Sequence, residues 1–155
     1  MKTAYLELNT TNQIRSLSNS SLDSFSYKGI HIFPSMKVTS LNTILSMDFD
    51  YFILDMGVLT NYTAMELSKC HKQFLVCNFC EWKKNLHIQK IEDLLKNTNL
   101  NRRRLTLLRT FENKSTLSNL LSFDVKTFPF IPNPFQLPAN LFSSLSQLLE
   151  LERID

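Results

Sequence analysis

The chain has 155 residues, of which 43% are hydrophobic and 20% charged. That is about one domain's worth of chain with enough apolar content to bury a core, so intrinsic disorder is excluded as the organising state. The net charge of +3 is mild, and no apolar run reaches the roughly 18 residues of a membrane-spanning helix. With just 2 glycines, Gly29 and Gly57, neither a G-x-G-x-x-G nor a G-x-x-x-x-G-K-[ST] loop is present. The commonest backbone cradles for phosphate are therefore absent.

Short apolar runs rich in β-branched and aromatic residues recur along the chain and predict strands over Ala4 to Leu8, Ile30 to Phe33, Tyr51 to Leu54, Gln73 to Cys77, Leu105 to Leu108 and Val125 to Phe130. Ser16 to Ser26 holds six serines without an apolar period and reads as a loop. Helical spacing intervenes at Leu41, Ile44 and Leu45, more weakly at Met65, Leu67 and Cys70, and again at Trp82, Leu86, Ile91, Leu94 and Leu95. Leu141, Leu145, Leu148 and Leu149 follow the i, i+4, i+7, i+8 pattern of an amphipathic helix. Strands apolar at successive positions, alternating with helices, predict a single α/β domain over 1–155. Its mostly parallel sheet of about six strands would carry helices on both faces. Ligands of such sheets bind beyond the carboxyl ends of the strands, which singles out Asn9, Pro34, Asp55, Asn78, Thr110 and Pro132 as a candidate rim.

The charge is uneven. Residues 1 to 78 are neutral, whereas Lys83 to Lys126 carries +6. Lys83, Lys84, Arg102, Arg103 and Arg104 would form a phosphate-contacting surface if the chain bound nucleic acid; a solvated helix face and basic loop is the commoner origin of such a run. Cys70, Cys77 and Cys80 are odd in number and crowded together, unlike a secreted disulfide framework, and fit a reducing cytoplasm. Cys77-x-x-Cys80 has the spacing of a zinc half-site, yet an extended strand between Cys70-His71 and Cys77 would separate the two ligand pairs by roughly 17 Å. A redox pair at Cys77 and Cys80 and ordinary small packing residues are the remaining alternatives. His31 and His87 lack partners at a catalytic spacing, and no serine sits in a nucleophile elbow. Phe128 to Phe135 reads as a strand running into a proline-set loop.

Asp50-Tyr51-Phe52-Ile53-Leu54-Asp55-Met56-Gly57 runs a hydrophobic strand into an aspartate with a glycine two residues on. That is the shape of a Walker B segment, in which the carboxylate holds Mg²⁺ and the glycine lets backbone approach a phosphate. Ordinary strand-to-turn chemistry uses the same residues.

Taken with Ala4-Tyr5-Leu6-Glu7-Leu8-Asn9, Tyr27-Lys28-Gly29-Ile30, Lys69 to Cys77 followed by Glu81-Trp82-Lys83, and Pro129 to Phe135, the chain resembles the ParA/MinD-type P-loop ATPases, specifically an uncharacterised bacterial subgroup. The resemblance runs over roughly residues 4 to 150. It implies a P-loop NTPase-like fold lacking the first strand, the P-loop and the first helix, since Met1 stands where that unit should end. It also implies Asp55 as the Mg²⁺-side carboxylate, with Gly57 and Asn9 beside a nucleotide. Without the phosphate loop and its lysine no catalytic residue carries over. The expectation is a non-catalytic binding or regulatory module, with no cofactor of its own, docking on a complete ATPase subunit or a second copy of itself. The alternatives are a Mg-ATP protein whose phosphate loop comes from a partner chain and a basic nucleic-acid-binding module. Removing a strand from beside the Walker B-like one should also leave backbone groups of its neighbours unpaired.

Overall fold

A computed structural model describes residues 1–9, 11–18, 23–77, 81–109 and 123–128, together with Leu141, Ser143, Leu145, Ser146 and Leu148; at Val38 and at 81–84 it describes the backbone alone. The chain is α/β and divides into two compact units, the first ending at Thr63 and the second beginning at Ala64.

In the first unit, strands β1 (Thr3–Glu7), β2 (Phe25–Tyr27), β3 (Ile30–Phe33) and β4 (Tyr51–Asp55) form a sheet of order β2-β3-β1-β4. β1 runs parallel to both neighbours, with Leu6 opposite Phe33 on one side and Leu54 on the other. Its central position explains why Ala4 and Leu6 are fully buried. β2 is antiparallel to β3, joined by a two-residue turn in which Lys28 and Gly29 both have positive φ, 48° and 82°. This is the left-handed pair that a tight hairpin requires. Side chains alternate across the sheet, and one face, carrying Ala4, Leu6, Phe33, Phe52 and Leu54, packs with Leu41 and Ile44 of helix α1 (Leu41–Leu45). A row of rings, His31, Phe33, Phe49 and Phe52, continues that core toward β4 at centroid spacings of 4.8 to 6.3 Å.

The second unit holds most of helix α2 (Asn61–Leu67), then β5 (Gln73–Cys77), α3 (Glu81–Asn97), β6 (Leu105–Arg109) and β7 (Asp124–Thr127). The strands form a parallel sheet of order β5-β6-β7. Leu105, Leu107 and Cys77 pack with Ile91 of α3 and with Phe123, flanked by Leu75, Leu95 and Val125. Burying a leucine such as Leu107 contributes about 2 kcal/mol, so these few side chains account for much of the unit's cohesion.

The expected strands are present, but they occupy two sheets rather than one of about six. Among the described residues, the hydrogen-bonded ladder stops at β4 in one sheet and at β5 in the other. Three further expectations are corrected. The segment read as a loop, Ser16 to Ser26, takes in the last two residues of a 3-10 helix, Gln13–Leu17, and the first two of β2, because the Lys28-Gly29 turn pairs Phe25 with Ile32; 19–22 lie outside the described residues. Leu86 does not belong to the buried stripe of α3 and is 63% exposed. It sits five residues, about 140° around the helix, from Ile91, whereas Ile91, Leu94 and Leu95 share a face. The last predicted strand ends at Thr127, with 129–135 outside the described residues. Leu141, Leu145 and Leu148 are helical, as their spacing predicts.

Candidate functional site

The carboxyl ends of β1, β3 and β4 lie side by side and feed three loops, which backbone bonds hold together. The Leu8 N–H donates to the Asp55 carbonyl at 2.8 Å, and the Met36 N–H to the Glu7 carbonyl at 2.7 Å. Of the predicted rim, Asn9, Pro34 and Asp55 are placed here; Asn78, Thr110 and Pro132 lie outside the described residues.

Asp55, Gly57 and Asn9 converge, and each is engaged within the chain. Asp55 Oδ1 accepts the Gly57 N–H at 2.9 Å and Oδ2 accepts the Tyr5 hydroxyl at 2.7 Å. Burial, reinforced by that bond to Asp55, pushes the Tyr5 phenol well above its ordinary pKa, so it stays a donor. Asn9 Oδ1 accepts the Thr11 N–H at 2.9 Å, closing an Asx turn. Gly57 has φ 63°, and a Cβ added there would fall 2.6 Å from Asn9 Cβ. Glycine is therefore required by a left-handed turn packed against Asn9.

A magnesium–nucleotide pair fits poorly here. The space that glycine frees is filled by the Asn9 side chain rather than left for a phosphate, and each Asp55 oxygen accepts one internal donor. Among the described residues no group of three or more His, Cys, Asp or Glu side chains is arranged to hold a metal.

The best-organised group at the rim is one that sequence reasoning did not single out. Glu7, 1% exposed, accepts the Gln13 N–H at 3.0 Å, the Ile14 N–H at 3.3 Å and the Thr11 hydroxyl at 3.4 Å on Oε1. Its Oε2 accepts the Ser35 N–H at 3.1 Å. A single carboxylate thus clasps the loop after β1 to the loop after β3. Ser35 Oγ adds a bond to Asn12 Oδ1 at 2.6 Å, and both residues hold positive φ, 52° and 54°. The signal was a charged residue inside the apolar run Ala4 to Leu8: buried carboxylates occur almost exclusively where donors converge.

Several of the other candidates are engaged within the chain. Arg102 pairs with Glu92 and lies 4.4 Å from the Phe123 ring centre; Arg109 Nε donates to Thr127 Oγ1 at 2.6 Å. Arg103 and Arg104 are exposed, and Lys83 and Lys84 sit in the first turn of α3. Cys77 is buried and its thiol is pushed up to about 11 by that burial, the opposite of a reactive thiolate; Cys80 lies outside the described residues. His31 shares its ring nitrogens with Ser26 and Ser24. No helix is long and apolar enough to cross a membrane among the described residues.

No family model, characterised protein or solved structure matches the chain.

Proposed function

We propose that the chain is a non-catalytic, P-loop NTPase-like binding or regulatory module, acting by docking on another protein chain rather than by nucleotide chemistry of its own. The observation that carries this reading is the engagement of Asp55, Gly57 and Asn9 with one another and with Tyr5 and Thr11. These residues stabilise a strand end. Phosphoryl transfer depends on preorganised donors around the transferred group, and the rim supplies its donors to its own carboxylates instead.

The test is ATP hydrolysis by the purified chain with Mg²⁺, run beside Asp55→Ala. The module reading expects background rates from both proteins. Turnover by the wild type that Asp55→Ala abolishes would overturn it. Turnover that arises after mixing with a P-loop-bearing ATPase, and disappears with Asp55→Ala, would instead establish a site completed in trans.

A further inference from the structure

The outer edge of β4 has chemistry that its neighbours lack. Among the described residues β4 pairs with β1 alone, along its whole length and without a bulge. Its inner side is fixed by two bonds: the Tyr51 N–H donates to the Lys2 carbonyl at 3.3 Å, and the Asp55 carbonyl accepts from Leu8. Backbone groups of a strand alternate in direction, so Phe52 and Leu54 direct their N–H and C=O groups to the edge away from β1. The strand has no proline, no lysine and no bulge, and its one charge, Asp55, stands at its end. On the face away from α1, Tyr51 is 45% and Ile53 48% exposed.

We infer that this edge is a self-pairing surface whose occupant is β4 of a second copy of the chain, running antiparallel about a two-fold axis through Ile53. The inference rests on the docking-module reading and names its partner. Three features of the strand favour this occupant. The axis places Phe52 of each copy opposite Leu54 of the other, and these are the two residues whose backbone groups face outward, so each such pair exchanges both hydrogen bonds. Ile53 then meets its own copy in the closer, non-hydrogen-bonded position, where β-branched pairs are favourable. Tyr51 falls opposite Asp55, a phenol beside a carboxylate, and no like charges stand directly opposite. On the α1 face the Phe52–Leu54 pairs extend the ring row that ends at Phe52, joining the two apolar cores across the new seam.

A seam five residues long buries less than the roughly 1,000 Å² expected of a stable interface. The dimer is accordingly weak, forming at on the order of 100 μM protein.

The test is sedimentation velocity across a concentration series on wild type, Ile53→Lys and Val76→Lys, with backbone amide exchange read at the lowest and highest concentrations. Val76 is 67% exposed on the other sheet and serves as the control. Wild type and Val76→Lys should dimerise as concentration rises, while Ile53→Lys, which sets two ammonium groups opposite each other at the axis, loses about tenfold or more in affinity. In the wild type the Phe52 and Leu54 amides should exchange more slowly at high concentration, with those of Tyr51 and Ile53 unchanged, a readout that does not depend on the variant folding. A wild type that stays monomeric to about 1 mM, or a dimer that leaves Phe52 and Leu54 unprotected, overturns the inference. Neither result bears on nucleotide hydrolysis, so the module reading stands or falls separately.

Discussion

Replacing Glu7 by Gln keeps the side chain's shape and removes its ability to accept on both oxygens. The single remaining carbonyl can serve Gln13 and Ile14, which now lose a charge-assisted acceptor, while the new amide turns its own hydrogens toward the Ser35 N–H. Leaving one buried N–H without an acceptor costs about 1–3 kcal/mol, and converting charged to neutral bonds at the other oxygen costs about 1 kcal/mol more. Relief of the buried charge offsets part of this, leaving a net loss of about 2 kcal/mol. Urea denaturation followed by circular dichroism should show a lower midpoint with an unchanged slope. Amide exchange should accelerate at Ser35 and Gln13, and remain as in wild type at Leu105 and Leu107. A midpoint within about 0.5 kcal/mol of wild type, with Ser35 exchange unaltered, would refute the clasp.

Gly57→Ala should cost at least about 2 kcal/mol, from the left-handed backbone and the 2.6 Å approach to Asn9 Cβ together; adding Asn9→Gly should restore part of it, and strictly additive losses in denaturant melts would disprove the contact. Arg102→Ala should destabilise by about 1–2 kcal/mol through loss of Glu92 and the Phe123 ring, with Arg102→Lys in between; thermal melts of equal midpoint would count against that assignment. Cys77 is held protonated in the folded chain to about pH 11, against an unfolded value near 9. The unfolded state therefore binds fewer protons above pH 9, and stability should fall as pH rises from 9 to 11. Cys77→Ala should flatten that part of the pH–stability profile, and an unchanged slope would remove Cys77 as its origin.

Strand existence was legible in the sequence because apolar runs bounded by polar residues have few alternatives: β3 and β5 fall where the runs over Ile30 to Phe33 and Gln73 to Cys77 place them. The division into two sheets was not, since hydrophobicity reports that a strand is buried and not which strand it pairs with. β2 escaped notice because its three residues owe their conformation to the Lys28-Gly29 turn and to pairing with β3, a tertiary cause. At the rim, Asn9 and Asp55 were readable as residues at strand ends, and their grouping with Gly57 came from the family resemblance. Their mutual engagement was not readable, because Tyr5 and Thr11 become their partners through register and loop geometry alone. Glu7 was visible as a charge in an apolar run, and its meaning emerged from Gln13, Ile14 and Ser35, which lie six, seven and 28 residues away.

The central claim is that the rim serves the chain's own structure rather than a nucleotide. The most direct measurement is an equilibrium titration of the purified chain with fluorescent ATP and ADP, with and without Mg²⁺, beside Asp55→Ala. The account predicts no magnesium-dependent binding up to about 1 mM nucleotide for either protein. Saturable binding that requires Mg²⁺ and is lost in Asp55→Ala would contradict it.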